Sequence, residues 1–347
     1  MNNKTHLNQI VIPLLAWYKQ HGRTLPWRSD PTPYRVWLSE IMLQQTRVET
    51  VKPYFERFLS ALPNISDLAL ADEEQLLKLW EGLGYYSRVR NLQKAAQVIM
   101  QKWDGHIPAS FNDLLTLPGI GRYTAGAISS IAFQIPVPVV DGNVLRVISR
   151  ILESAEDISL KKTQLDMEDK LMNIIPIDQP GDFNQALMDL GATICLPTGI
   201  PKCEICPISS FCSAFLNNKT ADYPVKTSKK PRKIETPTIL LIHYQNKYAL
   251  QKRPDKGLLA KMWEFPSTGN FTIEKYLKEK KIAPLQIKPL PSSKHIFTHI
   301  EWHINAFHIE ADNPSDQFTW VSWSELLDKF ALPSAFQPFL AYLKEKK

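Results

Sequence analysis

Cysteine is scarce in this chain, and its few copies are clustered. Only four occur among 347 residues, all of them between Cys195 and Cys212. That number is too small for the disulfide framework of a secreted scaffold, and the clustering favours a metal site in a reducing compartment. Apolar runs are also short, and none approaches the 18 residues that indicate a membrane-spanning helix. We therefore expect no membrane association.

The features of a secretion signal are missing from the first part of the sequence. Residues 1–19 lack a basic start, an apolar centre and a small-residue cleavage site. The composition, 44% hydrophobic and 22% charged, is that of an ordinary globular protein and excludes the disordered and fibrous classes. Both points favour a cytoplasmic location.

A strong excess of one charge is absent from the larger part of the chain. Residues 1–216 hold 20 basic and 22 acidic residues, residues 217–237 hold 6 and 2, and residues 238–347 hold 15 and 11, for a net charge of +6 overall. Such a basic excess is compatible with nucleic acid but does not demonstrate it. If the first part binds DNA, it must use local geometry rather than bulk charge.

Length and pattern indicate two domains and a connector. Apolar residues recur at helical spacing in residues 1–216. Residues 217–237 contain three prolines and the basic run Lys229–Lys233, which is typical of a solvated connector, with a dedicated DNA contact as the alternative. Residues 238–347 have the pattern of an α+β domain. Its expected elements are strands at 238–244 and 247–251, a β pattern over 295–309 and a helix at 324–330.

The cysteine spacing itself is informative. It reads Cys195-x7-Cys203-x2-Cys206-x5-Cys212, so four thiolates within 18 residues can close around one centre. Zinc usually takes two C-x2-C knuckles, and this chain has one, which favours a [4Fe–4S] cluster over zinc or unligated thiols. Such a cluster needs no redox role, because ligand binding itself supplies folding energy.

The string Leu117–Gly126 predicts a DNA-binding hairpin. Gly119 and Gly121 permit a tight turn, and a helix is expected to begin near Arg122. The free N–H groups at a helix N-terminus bind phosphate without much positive charge. Together with the helical stretch 111–115, this is a helix–hairpin–helix signature, with a purely structural turn as the alternative. It is not a P-loop, because no Gly-Lys-Ser/Thr follows.

Two carboxylates are candidates for chemistry. Glu40 lies in an apolar, amide-rich helix, where burial would raise its pKa and let it act as an acid near neutral pH. Asp141 follows the apolar run 135–140. The alternatives are an ordinary surface glutamate and a helix N-cap. Two carboxylates that flank a glycosidic bond are the chemistry of cleaving it, but a separation of 101 residues does not show that they meet.

These strings together resemble the MutY-type adenine DNA glycosylases of the helix–hairpin–helix superfamily. The resemblance rests on the four cysteines and on residues 25–28, 39–46, 82–88, 117–126, 140–144 and 183–191. It implies a mainly α, helix–hairpin–helix catalytic domain over 1–216, with an iron–sulfur loop at 195–212. A basic linker at 217–237 and an α+β Nudix-like lesion-recognition domain at 238–347 would follow.

The resemblance also implies an activity and a site. The family flips out an adenine mispaired with 8-oxoguanine or guanine in double-stranded DNA and hydrolyses its N-glycosidic bond. Glu40 matches the acid, and Asp141 matches the carboxylate that stabilises the sugar cation or forms a transient covalent adduct with the sugar. Tyr123 and Asn143 match residues around them. Further matches are Arg28 and Gln185 near adenine, Gln45 and Tyr85 beside the lesion base, Gly119, Gly121, Arg122 and Tyr123 on DNA phosphate, and Cys195, Cys203, Cys206 and Cys212 on the cluster. A monomer associated with the nucleoid is expected.

Tyr123 separates close relatives. The endonuclease III branch carries a lysine there that forms a Schiff base and cuts the strand, whereas tyrosine cannot. We therefore expect a monofunctional glycosylase that leaves an abasic site. The alternatives are a related glycosylase or lyase acting on another damaged base, and a mismatch-binding protein without catalysis.

The second half departs from the family in small ways. Residues 263–266 and Phe297-Thr298-His299 match strings of the C-terminal domain, where the family has Phe-Ser-His on the loop that reads 8-oxoguanine. His299 could instead be a core histidine. The acidic helix of Nudix hydrolases is absent from the sequence, so we expect recognition without pyrophosphatase activity. The first cysteine gap is seven residues, where the family usually has six.

Overall fold

The computed structural model describes residues 7–227 and 231–346. It divides into two compact units, one made of Met1–Leu70 and Asn91–Ser228 and the other of Ala71–Arg90 and Lys229–Lys347. The second unit therefore takes in a segment that precedes the predicted linker. Lys229 and Lys230 of the predicted basic run lie outside the described residues. Within the described ranges, no helix combines the length and apolarity that crossing a membrane requires.

The helical unit is built around a helix that is buried on nearly all sides. This helix, α11, begins at Pro180, and its residues from Phe183 to Gly191 are all buried. Gly191 permits a close approach to the neighbouring helix, since a Cβ there would lie 2.6 Å from the Cβ of Asn143. The helices that lie wholly in this unit are α1 Val11–His21, α2 Pro33–Leu43, α3 Val48–Ala61, α4 Ile65–Leu70, α7 Phe111–Leu115, α8 Arg122–Ala127, α9 Gly142–Leu152, α10 Lys161–Met172, α11 Pro180–Thr193 and α12 Ser213–Leu216.

The other unit contains a seven-stranded sheet that is buried on both faces. Alternate residues of β2 point to opposite cores, with Ile239 and Leu241 in one and Leu240 and Ile242 in the other. The sheet order is β1-β6-β2-β3-β4, with β5 also pairing β6 and β7 also pairing β3. Its strands are β1 Lys233–Glu235, β2 Thr238–Tyr244, β3 Lys247–Lys252, β4 Trp263–Glu264, β5 Pro284–Ile296, β6 Ile300–Ala311 and β7 Thr319–Ser322. Its helices are α5 Glu73–Leu79, α13 Ile273–Glu279, α14 Trp323–Asp328 and α15 Gln337–Glu345, and α6 Ser87–Trp103 runs from this unit into the first.

The two predicted strands at 238–244 and 247–251 are confirmed, and two other expectations need correction. The β pattern over 295–309 is not one strand, because β5 ends at Ile296 and β6 begins at Ile300 with a three-residue turn between them. The helix expected at 324–330 spans Trp323–Asp328 instead. It begins early because Ser322 and Glu325 form a reciprocal capping box that satisfies the first N–H groups.

Candidate active site

Glu40 lies inside the helical unit and is only 6% exposed. Eight of the eleven residues of helix α2 are buried, Glu40 among them. Burial raises its pKa to about 7, with the charge of Asp141 adding to the rise, although the Tyr123 hydroxyl and the charge of Arg28 oppose it. The Tyr123 hydroxyl donates a hydrogen bond to Glu40 Oε2 at 2.5 Å. The expected desolvation is confirmed, and the alternative of a surface glutamate is excluded.

Asp141 is both the N-cap of helix α9 and a neighbour of Glu40. Its Oδ1 accepts from the Val144 backbone N–H at 2.7 Å, and its Oδ2 accepts from Asn143 Nδ2 at 3.0 Å. Burial raises its pKa above the ordinary value despite these hydrogen bonds. The N-cap alternative is therefore correct for the local structure. Asp141 also acts on the same phenol as Glu40, since burial raises the pKa of Tyr123 and the charges of Glu40 and Asp141 raise it further.

Asn143 is itself held by an arginine from the next turn of α9. Arg146 Nη2 donates to Asn143 Oδ1 at 2.9 Å and to the Gly191 carbonyl at 2.7 Å. Arg146 Nε donates to the Cys195 carbonyl at 2.8 Å. A continuous chain of hydrogen bonds thus joins Asp141 to the backbone of the first cysteine.

Arg28 lies near Glu40 and forms an ion pair with Asp189. Its guanidinium makes a bidentate ion pair with Asp189, at 2.7 and 2.9 Å. A cavity of about 50 Å³ is lined by Glu40, Tyr123, Arg28 and Gln185, four of the residues that the sequence predicts for the site. Met188 also lines it, with its sulfur 3.6 Å from the Tyr123 hydroxyl. The cavity therefore has both polar and apolar groups in its walls.

The predicted hairpin joins α7 to α8, and the helix begins at Arg122 as expected. Gly119 has φ of +77°, and a Cβ there would lie 2.7 Å from the Cβ of Asn91, so this position requires glycine. Gly121 is the N-cap of α8, and no side chain of the described residues caps this helix. Its first N–H groups are therefore available to a phosphate. Arg122 is half-exposed and forms a bidentate ion pair with Glu168.

Gln45 and Tyr85 share an uncommon backbone conformation. Their φ angles are +57° and +47°, in the left-handed region that non-glycine residues rarely adopt. Gln45 is exposed just beyond the end of α2, and Tyr85 is 45% exposed in the segment before α6. Such strain persists only where the surrounding structure imposes it, and it is common in residues that contact ligands.

The segment around Tyr85 and the turn between β5 and β6 line one cavity of the sheet-containing unit. Its volume is about 580 Å³, and its walls include residues 82–87 and 295–300. The Tyr85 hydroxyl and Thr298 Oγ1 are 2.6 Å apart. Phe297 packs edge-on against Trp302 at 4.9 Å between ring centroids, which anchors the turn. His299 is exposed, which excludes the alternative of a core histidine.

The four cysteines lie in the loop that follows α11. In the part of the chain that the structure describes, no group of three or more His, Cys, Asp or Glu side chains is arranged to hold a metal ion. The thiols are nevertheless neighbours, since the pKa of Cys206 is raised to about 12 by burial and also by the charges of the other three. Arg150 Nη1 lies 3.1 Å from Cys195 Sγ, and backbone N–H groups point at Cys206 and Cys212. Four neighbouring thiols, three of them with N–H donors on their sulfurs, fit the donor set of an iron–sulfur cluster.

Two family models match separate parts of this chain. The first, described as HhH-GPD superfamily base excision DNA repair protein, matches residues 38–175, and a NUDIX domain matches residues 238–342. An adenine DNA glycosylase of Buchnera aphidicola subsp. Acyrthosiphon pisum (strain APS) is 39% identical over 309 residues, which cover 88% of this chain and 87% of that protein. The chain belongs to the adenine DNA glycosylase family.

Solved structures of other DNA repair enzymes share the fold of the helical part. A thermostable thymine-DNA glycosylase has a TM-score of 0.56 and 28% identity, covering 61% of this chain and 98% of its own. Endonuclease III trapped as a covalent intermediate with DNA has a TM-score of 0.54 and 25% identity, covering 63% and 99%. The predicted fold class, a helix–hairpin–helix glycosylase domain followed by a Nudix-like domain, is confirmed.

Sequence reasoning missed three residues of this adenine glycosylase family member's site: Asp189, Arg146 and Arg150. A signal existed for each of them. Asp189 is the sole ionisable residue between Phe183 and Gly191, and a carboxylate within a buried helix requires a partner. Arg146 and Arg150 stand four apart in helix α9, whose other residues are mostly apolar, so they share one face.

Proposed function

We propose that this protein excises adenine mispaired with 8-oxoguanine or guanine in double-stranded DNA, as a step of base excision repair, and leaves an abasic site. The observation that carries the proposal is the pair of carboxylates in unlike settings. Glu40 is buried with a pKa near 7, whereas Asp141 is held by a backbone N–H and by Asn143. Two carboxylates whose environments separate their roles are the requirement for glycosidic cleavage.

Glu40 acts as the general acid. A carboxyl with a pKa near 7 is protonated in about half of the molecules at neutral pH, so it can give its proton to the departing adenine and improve the leaving group. The Tyr123 hydroxyl fixes the orientation of that carboxyl through its hydrogen bond to Oε2. After adenine departs, the carboxylate of Glu40 accepts a proton from the attacking water.

Asp141 stabilises the positive charge that develops on the sugar as the bond breaks. Its two oxygens already accept hydrogen bonds, which keep the carboxylate in one orientation. Tyr123 provides no amine, so a Schiff base with the opened sugar cannot form at this position. The reaction therefore ends with hydrolysis, and the strand remains intact.

Flipping the adenine requires contacts that hold the DNA backbone and residues that recognise the opposite base. The hairpin at Gly119 and Gly121 would bind the backbone with the N–H groups of α8. Gln45 and Tyr85, both in strained conformations, would contact the bases beside the lesion. The turn Phe297-Thr298-His299 would read 8-oxoguanine, with Thr298 already bonded to Tyr85. We place no pyrophosphatase activity in this Nudix-like unit.

The cysteine loop would hold a [4Fe–4S] cluster through Cys195, Cys203, Cys206 and Cys212. When bound, the cluster supplies folding energy to the loop. An ordered loop would in turn help to position Asn143, because Arg146 donates hydrogen bonds to both the Cys195 carbonyl and Asn143. Iron and acid-labile sulfide in the purified protein, in the ratio of a [4Fe–4S] cluster, are the expected result. Zinc at one atom per chain would contradict this assignment.

The pH dependence of excision tests the function. Burial raises the pKa of Glu40 from its ordinary value to about 7, and the protonated form is the active one. The single-turnover rate on a duplex with adenine opposite 8-oxoguanine should therefore fall as the pH rises through about 7, approaching tenfold per pH unit above it. Protonation of Asp141 should lower the rate again at acidic pH. A flat profile from about pH 6 to about pH 9 would contradict the assignment of Glu40.

A further inference from the structure

Asp189 is the most completely enclosed charge near the cavity. Its side chain is 0% exposed, and two arginines donate four hydrogen bonds to it. Arg23 contributes its backbone N–H at 2.9 Å and Nε at 2.7 Å, and Arg28 contributes Nη1 at 2.7 Å and Nη2 at 2.9 Å. Burial alone would raise the pKa of Asp189, but the hydrogen bonds and charge of Arg28 and those of Arg23 outweigh it. The aspartate is therefore an anion between two cations.

Arg28 faces the catalytic carboxylate from the other side. It lines the same cavity as Glu40, and its Nη1 also donates to the Arg23 carbonyl at 3.1 Å, so its position is fixed at several atoms. The other groups that face Glu40 are Tyr123 and Asp141. The ring of Tyr18 stands 5.7 Å from the guanidinium carbon of Arg28, and Asp182 acts on that tyrosine.

A cation in the position of Arg28 has two effects on excision. It can orient the flipped base, but it also favours the ionised form of Glu40, which cannot donate a proton. An arginine with no counterion would act on Glu40 with its full charge in a site from which water is largely excluded. A counterion on the far side of the guanidinium reduces that effect without occupying the cavity.

We propose that Asp189 is a positioning residue for the excision step. It fixes the Arg28 guanidinium at the wall of the cavity and offsets the positive charge that would otherwise keep Glu40 ionised. Arg23 moderates this function, because it shares the negative charge of Asp189. The inference rests on the proposed function of Glu40 as the general acid.

Asp189→Asn tests the proposal through a pH profile. The asparagine keeps the shape of the side chain but not its charge, so the uncompensated Arg28 should lower the pKa of Glu40. We expect the descending limb of the single-turnover profile to move down by about one pH unit, with about a fivefold loss at neutral pH that is regained in more acidic buffer. A merely structural role would lower the rate equally at every pH and leave the limb in place, which would overturn the proposal.

A second variant moves the limb in the opposite direction. Arg23→Gln removes one of the two cations that share Asp189, so the limb should shift to higher pH. Because Arg23 is 29% exposed at its side chain, this variant still decides the question if Asp189→Asn fails to fold. Glu153→Gln is the matched control, since it neutralises a carboxylate paired with Lys219 at 2.7 Å in the same unit but outside the cavity. Its profile should equal that of the wild type, and no shift, or a downward one, in Arg23→Gln would count against Asp189.

A spectroscopic measurement separates this inference from the function on which it rests. The infrared difference between each protein and its Glu40→Gln counterpart isolates the carboxyl band of Glu40. That band reports the protonation state of Glu40 and requires no excision. We expect the midpoint for Asp189→Asn to lie about one pH unit below that of the wild type. Absence of adenine release by the wild type would refute the proposed function alone, whereas equal midpoints would refute the role of Asp189 alone.

Discussion

Glu40→Gln is expected to abolish adenine release while DNA binding persists. The amide has nearly the same shape as the carboxyl and can still accept the Tyr123 hydrogen bond, but it has no proton to give. General acid catalysis contributes roughly 10²–10⁴-fold, so the single-turnover rate should fall by at least that factor. Binding depends on the hairpin and on base contacts outside the cavity, and it should change little.

The rate and the affinity are measured on the same duplex, which carries one adenine opposite 8-oxoguanine. Fluorescence anisotropy gives the affinity at fixed salt, because phosphate contacts make it strongly salt-dependent. Glu49→Gln is the matched control, since Glu49 is an exposed glutamate on helix α3 that pairs with Lys52 of the same helix. Its rate and affinity should both equal those of the wild type. Excision by Glu40→Gln within a few fold of the wild type would remove Glu40 from the mechanism.

Asp141→Asn is expected to lose activity with little loss of stability. Asparagine caps a helix about as well as aspartate, so the hydrogen bond from the Val144 N–H can be kept. The negative charge beside the developing sugar cation is lost, which should lower the rate by on the order of a hundredfold or more. The melting temperature should stay close to that of the wild type.

Asp72→Asn serves as the control for the Asp141 variant. Asp72 is also an aspartate N-cap, which accepts from the Glu74 N–H at 2.9 Å, but it lies at the start of α5, outside the helical unit. Single-turnover rates and thermal melts of both variants separate the capping role from the chemical one. If Asp141→Asn loses as much stability as activity, the N-cap alone accounts for this residue.

Local pattern predicted the local parts of this molecule well. The hairpin helix begins at Arg122 as expected, because Gly119 adopts a positive φ in the turn and Gly121 is the N-cap of the helix. The apolar neighbours Val36, Trp37 and Ile41 on α2 indicated burial of Glu40, but the sequence left a surface glutamate open as the alternative. The break in the β pattern at 297–299 was not found, since alternation continues on both sides of a short turn and hides it.

Contacts between residues far apart in the sequence could not be predicted from local sequence pattern. Arg28 and Asp189 are 161 residues apart, and Tyr85 and Thr298 are 213 apart, so no periodicity links them. The grouping of Ala71–Arg90 with the sheet-containing unit also depends on residues that are far apart in the sequence. Burial of an ionisable side chain in a helix could have signalled a missing partner for Asp189, but it could not have identified that partner.

The most direct test of this account is a product analysis of the wild-type protein. A duplex with one adenine opposite 8-oxoguanine is incubated under single-turnover conditions, the released base is identified, and the strands are examined with and without alkali. The account predicts free adenine and strand breakage only after alkali, since Glu40 and Asp141 cleave the glycosidic bond and Tyr123 cannot form a Schiff base. Breakage without alkali, or a duplex that is bound but yields no adenine, would contradict it.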